Sequence, residues 1–157
     1  MEQKFAAQRK FSNFTFQSLI MKNKKYLFEM PMRVRDYEVD CQGIVNNAIY
    51  LHYMEHTRHE FCRGAGCSFP EMHARGIDPV LRSVNIEYRR SLGLGQDFVS
   101  CINLRRDGAK FIFEQDIYAL PEEELATTAE VAVVCTENGR LTRGDVLAEA
   151  FADYLKD

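Results

Sequence analysis

The chain has 157 residues, which is enough for one hydrophobic core and too few for two ordinary domains. Its formal charge of -3 gives it no general attraction for nucleic acid or for an anionic membrane. No apolar run approaches the roughly 20 residues of a membrane-spanning helix. We therefore expect one globular domain that neither binds nucleic acid nor spans a membrane.

The five cysteines are odd in number and lack a regular spacing. Such a set predicts reduced thiols rather than a disulfide framework. Since reduced thiols are typical of reducing compartments, we expect a cytoplasmic protein.

Residues 1–25 differ from the rest of the chain in composition. They contain six basic residues and one acidic residue, with four phenylalanines interleaved among them. A secretory signal is disfavoured, since polar residues interrupt the apolar stretch and no small-residue cleavage site follows. An arm that binds single-stranded nucleic acid would need an accompanying stacking platform. We interpret the segment as a terminal extension that packs on the domain or on a neighbouring subunit, and we place the domain at residues 26–157.

The first strand is predicted from Tyr26 to Arg35, where the main domain begins. A loose alternation of polar and apolar residues continues through Arg33–Asp40, as in an edge strand or its frayed end. Within that segment Asp36 and Glu38 are expected to be ordinary residues on the solvent side of the strand.

A long helix is predicted to follow. Gly43 breaks the strand, and Asn46 and Asn47 are good N-cap residues because a short side-chain carbonyl can accept from the unpaired N–H groups of the first turn. Apolar residues then recur every four positions, which indicates one buried face. The helix should end near residues 63–66, where two glycines tolerate positive φ.

This order of residues leaves Asp40 in a turn that faces the positive end of a helix. N–H groups near Asn47 can polarise a carbonyl oxygen and hold the oxyanion that develops on it. The Asp40 carboxylate can attack the carbonyl carbon or take a proton from an attacking water. A thioester needs no separate acid for its leaving group, since a thiol has a pKa of roughly 8.5. The arrangement therefore favours acyl-transfer chemistry at a thioester.

A recognisable motif runs through the turn and the helix: Asp40-x-x-Gly43-Ile44-Val45-x-Asn47-x-x-Tyr50, followed by Tyr53, Glu55 and Arg58. Over residues 26–155 it resembles the hotdog-fold thioesterases of the 4-hydroxybenzoyl-CoA thioesterase and YbgC-like acyl-CoA thioesterase lineage. The resemblance implies that Asp40 is the catalytic carboxylate and that the backbone N–H of Asn47 forms the oxyanion hole. Members of that family often have His or Tyr where this chain has Asn47. The oxyanion is bound by the backbone N–H, so this difference in side chain does not remove the donor.

The resemblance also implies an acyl-CoA thioesterase with an α+β hotdog fold, in which an antiparallel sheet wraps a long central helix. In that family the active site lies at a subunit boundary, so we expect a homodimer or a homotetramer, and no cofactor is implied. A sister lineage carries its carboxylate further along the helix, where this chain has Leu51 and His52, and is therefore disfavoured. A thioesterase for acyl groups on a carrier protein and a non-catalytic acyl-binding protein are the alternatives.

Substrate contacts are expected from the motif turn, Gly43, Ile44 and Val45. Tyr50 either lines the acyl pocket or is a plain core residue at helical spacing. Arg89 and Arg90 stand at the end of a predicted strand. They either grip phosphates of coenzyme A through their guanidinium groups or keep an exposed strand end soluble.

Three histidines share one side of the helix, His52, His56 and His59. No further Cys or Asp stands at ligand spacing, so a polar or interface-facing stripe is favoured over a metal site. Glu55 and Arg58, three residues apart, are candidates for an intrahelical pair.

The rest of the chain predicts mostly strands, because apolar residues alternate with polar ones at period two. Turn residues such as Asp107-Gly108 and Asn138-Gly139 separate these segments. The predicted elements are a helical turn at Pro70–Arg75, strands at Pro79–Arg90, Asp97–Arg106, Lys110–Leu120 and Ala126–Thr136, and a helix at Val146–Leu155. One long helix followed by an antiparallel sheet is an α+β plan whose sheet edges need a partner.

Overall fold

The computed structural model describes residues 26–155, so the predicted N-terminal extension, residues 1–25, lies outside the described residues. Helices and strands follow in this order: β1 (Phe28–Arg33), a short 3₁₀ turn (Asp36–Glu38), α1 (Asn47–Gly64), α2 (Phe69–Ala74), β2 (Ile77–Tyr88), β3 (Asp97–Asp107), β4 (Lys110–Ala119), β5 (Glu124–Glu137), β6 (Arg140–Leu141) and α3 (Asp145–Ala150).

The predicted helices and strands are present, with ends that differ by a few residues. The two-residue strand β6 was not predicted, and α3 ends at Ala150, where the chain passes into turns instead of remaining helical to Leu155. The predicted strand continuation over Arg33–Asp40 is wrong, because the chain turns at Asp36–Glu38. The turn rotates Glu38 inward, so this residue is 4% exposed instead of lying on the solvent side.

The six strands form one antiparallel sheet in the order β1-β3-β4-β5-β2, with β6 paired to β5. Pro31 and Pro79 lie in the two edge strands, β1 and β2, where a missing N–H need not interrupt the inner ladder. Gly108 has a φ of 59° at the β3–β4 turn, and Asn138 and Gly139 have φ values of 49° and 76° at the β5–β6 turn. Both predicted hairpin turns are therefore confirmed.

The core lies between α1 and the sheet. Along α1 the buried side chains are Tyr50, Tyr53, Met54, Thr57, Phe61 and Cys62. They belong to one apolar cluster with inward residues of the inner strands, among them Phe98, Ile102, Phe113, Ile117 and Val131. This is the predicted α+β plan of a long helix packed against an antiparallel sheet. No helix among residues 26–155 is both long and apolar enough to cross a membrane.

Candidate active site

Asp40 lies in a tight turn just before α1. Its N–H donates to the Ile44 carbonyl and its carbonyl accepts from the Gly43 N–H, both at 2.9 Å. Gly43 has a φ of 76°, a left-handed conformation that strongly favours glycine. Oδ1 of Asp40 accepts from the Gln42 N–H at 2.8 Å, whereas Oδ2 has no donor among residues 26–155. The residue thus orders its own turn and keeps one carboxylate oxygen available.

The turn is fastened to the start of α1. Val39 and Val45 form an isolated antiparallel bridge across it, and the Asn46 N–H donates to the Glu38 carbonyl at 3.1 Å. The Asn46 side chain accepts from the N–H two residues further on at 3.0 Å, which confirms it as the N-cap. Asn47 is the first helical residue, so its N–H has no acceptor within the helix. The predicted carboxylate and the predicted oxyanion donor therefore belong to one turn-and-cap unit.

The loop before β3 supports the other side of this unit. Ile44 forms a bridge with Gly93, and the Val45 N–H donates to the Leu92 carbonyl at 2.9 Å. The Leu92 N–H in turn donates to the Tyr50 hydroxyl at 2.9 Å. Tyr50 is 3% exposed, and burial raises the pKa of its phenol. Its polar end therefore holds the loop, and a role in lining an acyl pocket remains a prediction.

Tyr88 is a site neighbour that the sequence did not indicate. Its hydroxyl donates to the Asn47 carbonyl at 3.0 Å, and its ring centroid lies 5.5 Å from that of Tyr50. Tyr88 is nevertheless 47% exposed. The end of edge strand β2 therefore lies against the first turn of α1 and keeps an aromatic surface open to solvent.

Arg89 and Arg90 follow Tyr88 directly, and both of their N–H groups donate to the Ala126 carbonyl, at 2.8 and 3.0 Å. The Arg89 side chain pairs with Glu87 at 2.8 Å, and the Arg90 side chain pairs with Glu124. Both guanidinium groups are exposed and bound to carboxylates, as expected of strand-end charges. A phosphate ligand would have to displace those carboxylates or share the cations with them.

The three histidines of α1 form no metal-ligand cluster with other side chains of residues 26–155. His52, His56 and His59 are exposed, and no group of three potential metal ligands occurs within the described part of the chain. No ion pair within 4 Å joins Arg58 to Glu55 there. Arg58 instead donates to the buried Gln115 amide oxygen at 2.8 Å, and burial lowers its pKa.

A cavity of about 320 Å³ lies beside the second half of α1. Arg58 and Cys62 line it from the helix, Phe113 from the sheet, and Leu147 and Phe151 from the C-terminal segment. Neither the carboxylate turn nor the N-cap contributes to its lining. The turn that carries Asp40 and this cavity are therefore at different places along the helix.

Comparison with known sequences identifies the family. The thioesterase-like superfamily matches residues 34–154. The chloroplastic acyl-acyl carrier protein thioesterase ATL2 of Arabidopsis thaliana is 34% identical over 113 residues, which cover 70% of this chain and 59% of that protein. The long-chain acyl-CoA thioesterase FadM of Escherichia coli is 32% identical over 110 residues, or 69% of this chain and 83% of FadM. The chain belongs to the thioesterase-like superfamily, and it spans less than two thirds of the plant relative.

Comparison with solved structures identifies the fold. The probable thioesterase YbaW of Escherichia coli superposes with a TM-score of 0.69 at 28% identity, covering 82% of this chain and 98% of that chain. A 1,4-dihydroxy-2-naphthoyl-CoA thioesterase of Synechocystis superposes with a TM-score of 0.74 at 14% identity, covering 80% and 96%. The predicted hotdog fold is confirmed.

Proposed function

We propose that this chain hydrolyses acyl thioesters, with Asp40 supplying a carboxylate and the first N–H of α1, at Asn47, polarising the thioester carbonyl. The observation that carries the proposal is the Asp40 side chain: one oxygen fixes the turn, and the other has no donor among residues 26–155. Membership of the thioesterase-like superfamily supports the reaction class.

The reaction replaces the C–S bond of the thioester with a C–O bond from water. Asp40 either attacks the carbonyl carbon to form an anhydride that water then hydrolyses, or removes a proton from the attacking water. The negative charge that develops on the carbonyl oxygen is stabilised by the helix dipole and by the first N–H of α1, which has no acceptor within the helix. Collapse of the tetrahedral intermediate expels the thiolate, which needs no assistance from an acid.

A dimer is part of this proposal. Strand β2 is an edge strand of 12 residues, and it exposes Val80, Leu81 and Tyr88 by 43%, 54% and 47%. A long edge with apolar side chains favours pairing with another strand. Pairing of β2 with its copy would bring the partner close to Tyr88 and the start of α1. Light scattering measures the molecular mass in solution: the native protein should be a dimer, and Leu81→Lys, which places a charge on this edge, should weaken it. A monomeric native protein would contradict the proposal.

Acyl-CoA is the proposed substrate class. A reducing compartment, the cytoplasm, is the proposed location, because none of the five cysteines, which all lie within residues 26–155, forms a disulfide. Gly43, Ile44 and Val45 would border the reacting carbonyl, since they form the turn beside Asp40. Arg89 and Arg90 would contact the phosphates of coenzyme A. If so, Arg90→Ala raises KM for CoA thioesters and leaves KM unchanged for the same acyl group on N-acetylcysteamine, which lacks those phosphates.

A carrier-protein substrate is the second candidate, because the 34%-identical Arabidopsis relative is named an acyl-acyl carrier protein thioesterase. Matched acyl groups on CoA and on a carrier protein separate the two candidates through the ratio of kcat/KM values.

The decisive experiment is Asp40→Asn, assayed with a panel of acyl thioesters and a thiol reagent. We expect kcat to fall by about 10²–10⁴-fold, since the asparagine neither attacks nor accepts a proton. Asp36→Asn is the matched control, because Asp36 is an exposed carboxylate four residues earlier and should retain wild-type turnover. Retained turnover in Asp40→Asn would remove this residue from the mechanism. Binding of thioesters without hydrolysis by the wild type would instead indicate an acyl-binding protein.

A further inference from the structure

Glu38 is an unusual residue in this domain, because it is a glutamate only 4% exposed. Acidic side chains are rarely buried unless they are well hydrogen-bonded. Its carboxylate accepts from the Arg35 N–H at 2.7 Å, from the Arg35 guanidinium at 2.9 Å and from the Tyr53 hydroxyl at 2.6 Å. Three donors therefore compensate for the loss of water, and one of them comes from α1.

The main chain of Glu38 connects this buried carboxylate to the catalytic turn. Its carbonyl accepts from the N–H of Asn46, the N-cap of α1. One residue later Val39 pairs with Val45, and one residue after that Asp40 donates its N–H to Ile44. A displacement of Glu38 would therefore be transmitted to Asp40 through the two backbone hydrogen bonds that flank the Val39–Val45 bridge.

The Tyr53 ring is packed in the core. Its ring centroid lies 4.6 Å from that of Phe98 in β3, which is fully buried, and 6.2 Å from that of Tyr50. Tyr53 is six residues after Asn47, so its Cα lies about 9 Å further along the helix. Burial, and then the neighbouring Glu38 carboxylate, raise the pKa of Tyr53, so the hydroxyl remains a donor at neutral pH.

We propose that Glu38 and Tyr53 are a positioning pair, which fixes the Asp40 carboxylate relative to the N–H groups at the start of the same helix. The role rests on the thioesterase function proposed above. Neither residue touches the reacting atoms; both act through the turn. Helix α1 thereby positions both groups that act on the thioester: its first N–H is the oxyanion donor, and Tyr53, six residues further along, holds the turn that carries Asp40.

The test uses Tyr53→Phe, which removes the hydroxyl and keeps the ring on Phe98. We expect kcat to fall between about 10- and 100-fold with KM within roughly twofold, because a small misplacement of a reacting group slows the chemical step more than binding. Glu38→Gln should act in the same direction. The matched control is Ser100→Ala, which removes another buried hydroxyl that bonds α1 to the sheet, through Thr57 at 2.9 Å. It should lower Tm comparably and leave kcat unchanged.

A double variant tests whether the pair acts through the carboxylate. Adding Tyr53→Phe to Asp40→Asn should cause no further loss of kcat, since residues that act as a unit are not additive. A multiplicative loss, or wild-type kcat in Tyr53→Phe and Glu38→Gln with only a lowered Tm, would overturn the proposal.

A measurement without substrate separates this inference from the proposed function. Hydrogen exchange of the peptide covering residues 38–46 should accelerate in Tyr53→Phe and not in Ser100→Ala. If Asp40→Asn remains active while exchange accelerates, the reaction mechanism fails and the positioning contact stands. If exchange in that peptide is unchanged, the positioning role fails whatever the kinetics show.

Discussion

Both ends of α1 pack aromatic side chains against the sheet, and the N-terminal end is held by side-chain hydrogen bonds as well. At the N-terminal end, directed hydrogen bonds fix the surroundings: Tyr50 accepts from the Leu92 N–H, and Tyr53 donates to Glu38. At the C-terminal end, Phe61 is 2% exposed and its ring packs against four others at centroid distances of 5.1 to 6.2 Å, those of Phe28, Phe113, Phe151 and Tyr154.

This difference suggests that the two ends of α1 contribute differently to catalysis and to stability. Hydrogen bonds depend on distance and angle, so they define where a reacting group stands. Apolar packing is non-directional and contributes in proportion to the area that it buries. We therefore expect changes at the C-terminal end to affect stability and changes at the N-terminal end to affect turnover.

The largest expected change in stability is that of Phe61→Ala. Removing a buried phenylalanine costs about 3–5 kcal/mol, because apolar area is lost and a cavity remains. Urea unfolding followed by circular dichroism measures this loss. Turnover per folded molecule should remain near the wild-type value, since Phe61 lies 14 residues after Asn47, about 21 Å along the helix.

The control for that variant is Leu141→Ala, because Leu141 is 67% exposed in β6 and its truncation should change stability by less than about 0.5 kcal/mol. If Phe61→Ala abolished turnover while the protein stayed folded, the separation of tasks between the two helix ends would be wrong.

A smaller loss of stability is expected for Tyr50→Phe. The variant keeps the ring in the core but leaves the buried Leu92 N–H without its acceptor, which costs about 1–3 kcal/mol. Because Leu92 also accepts from the Val45 N–H, we expect kcat to fall as well. Unfolding and steady-state kinetics on the same samples measure both effects. A loss of stability with unchanged kcat would show that the loop before β3 does not influence the site.

The smallest effect is expected at the Arg33–Asp97 ion pair, which joins β1 to β3 at 2.6 Å away from both helix ends. The hydrogen bond from Arg33 lowers the pKa of Asp97. A lowered pKa means that the contribution is present above the pKa of the unfolded chain and is lost as pH falls through the folded-state value. The side chains are 51% and 34% exposed, so the contribution should be slight.

Thermal unfolding of wild type and Asp97→Asn between pH 7 and pH 3 measures this contribution. The difference in Tm between the two proteins should shrink as the solution is acidified. A difference that grew on acidification would contradict the sign of the pKa shift.

Local patterns were sufficient for much of the fold. Period-two alternation predicted β2 to β5. The Asn46 cap and the glycines at the C-terminal end of α1 predicted the helix ends, because these signals act within a few residues. The candidate carboxylate could also be predicted, since Asp40, Gly43 and the helix start lie within eight residues of one another.

Contacts between residues far apart in the sequence could not be predicted from such local patterns. The bonds from Leu92 to Tyr50 and from Tyr88 to Asn47 join residues 42 and 41 positions apart. Glu38 was expected on the solvent side, because a period-two pattern contains no information about a turn that rotates one carboxylate inward.

The sequence by itself determined the helix, the strands, the family motif and the residue that carries the candidate carboxylate. The tertiary structure alone decided the strand order, the position of β2 at the edge of the sheet formed by residues 26–155, and the buried pairing of Glu38 with Tyr53. The physical reason is the range of the forces: propensity, capping and turn geometry act between near neighbours, whereas a hydrogen bond across the core exists only after the chain has folded.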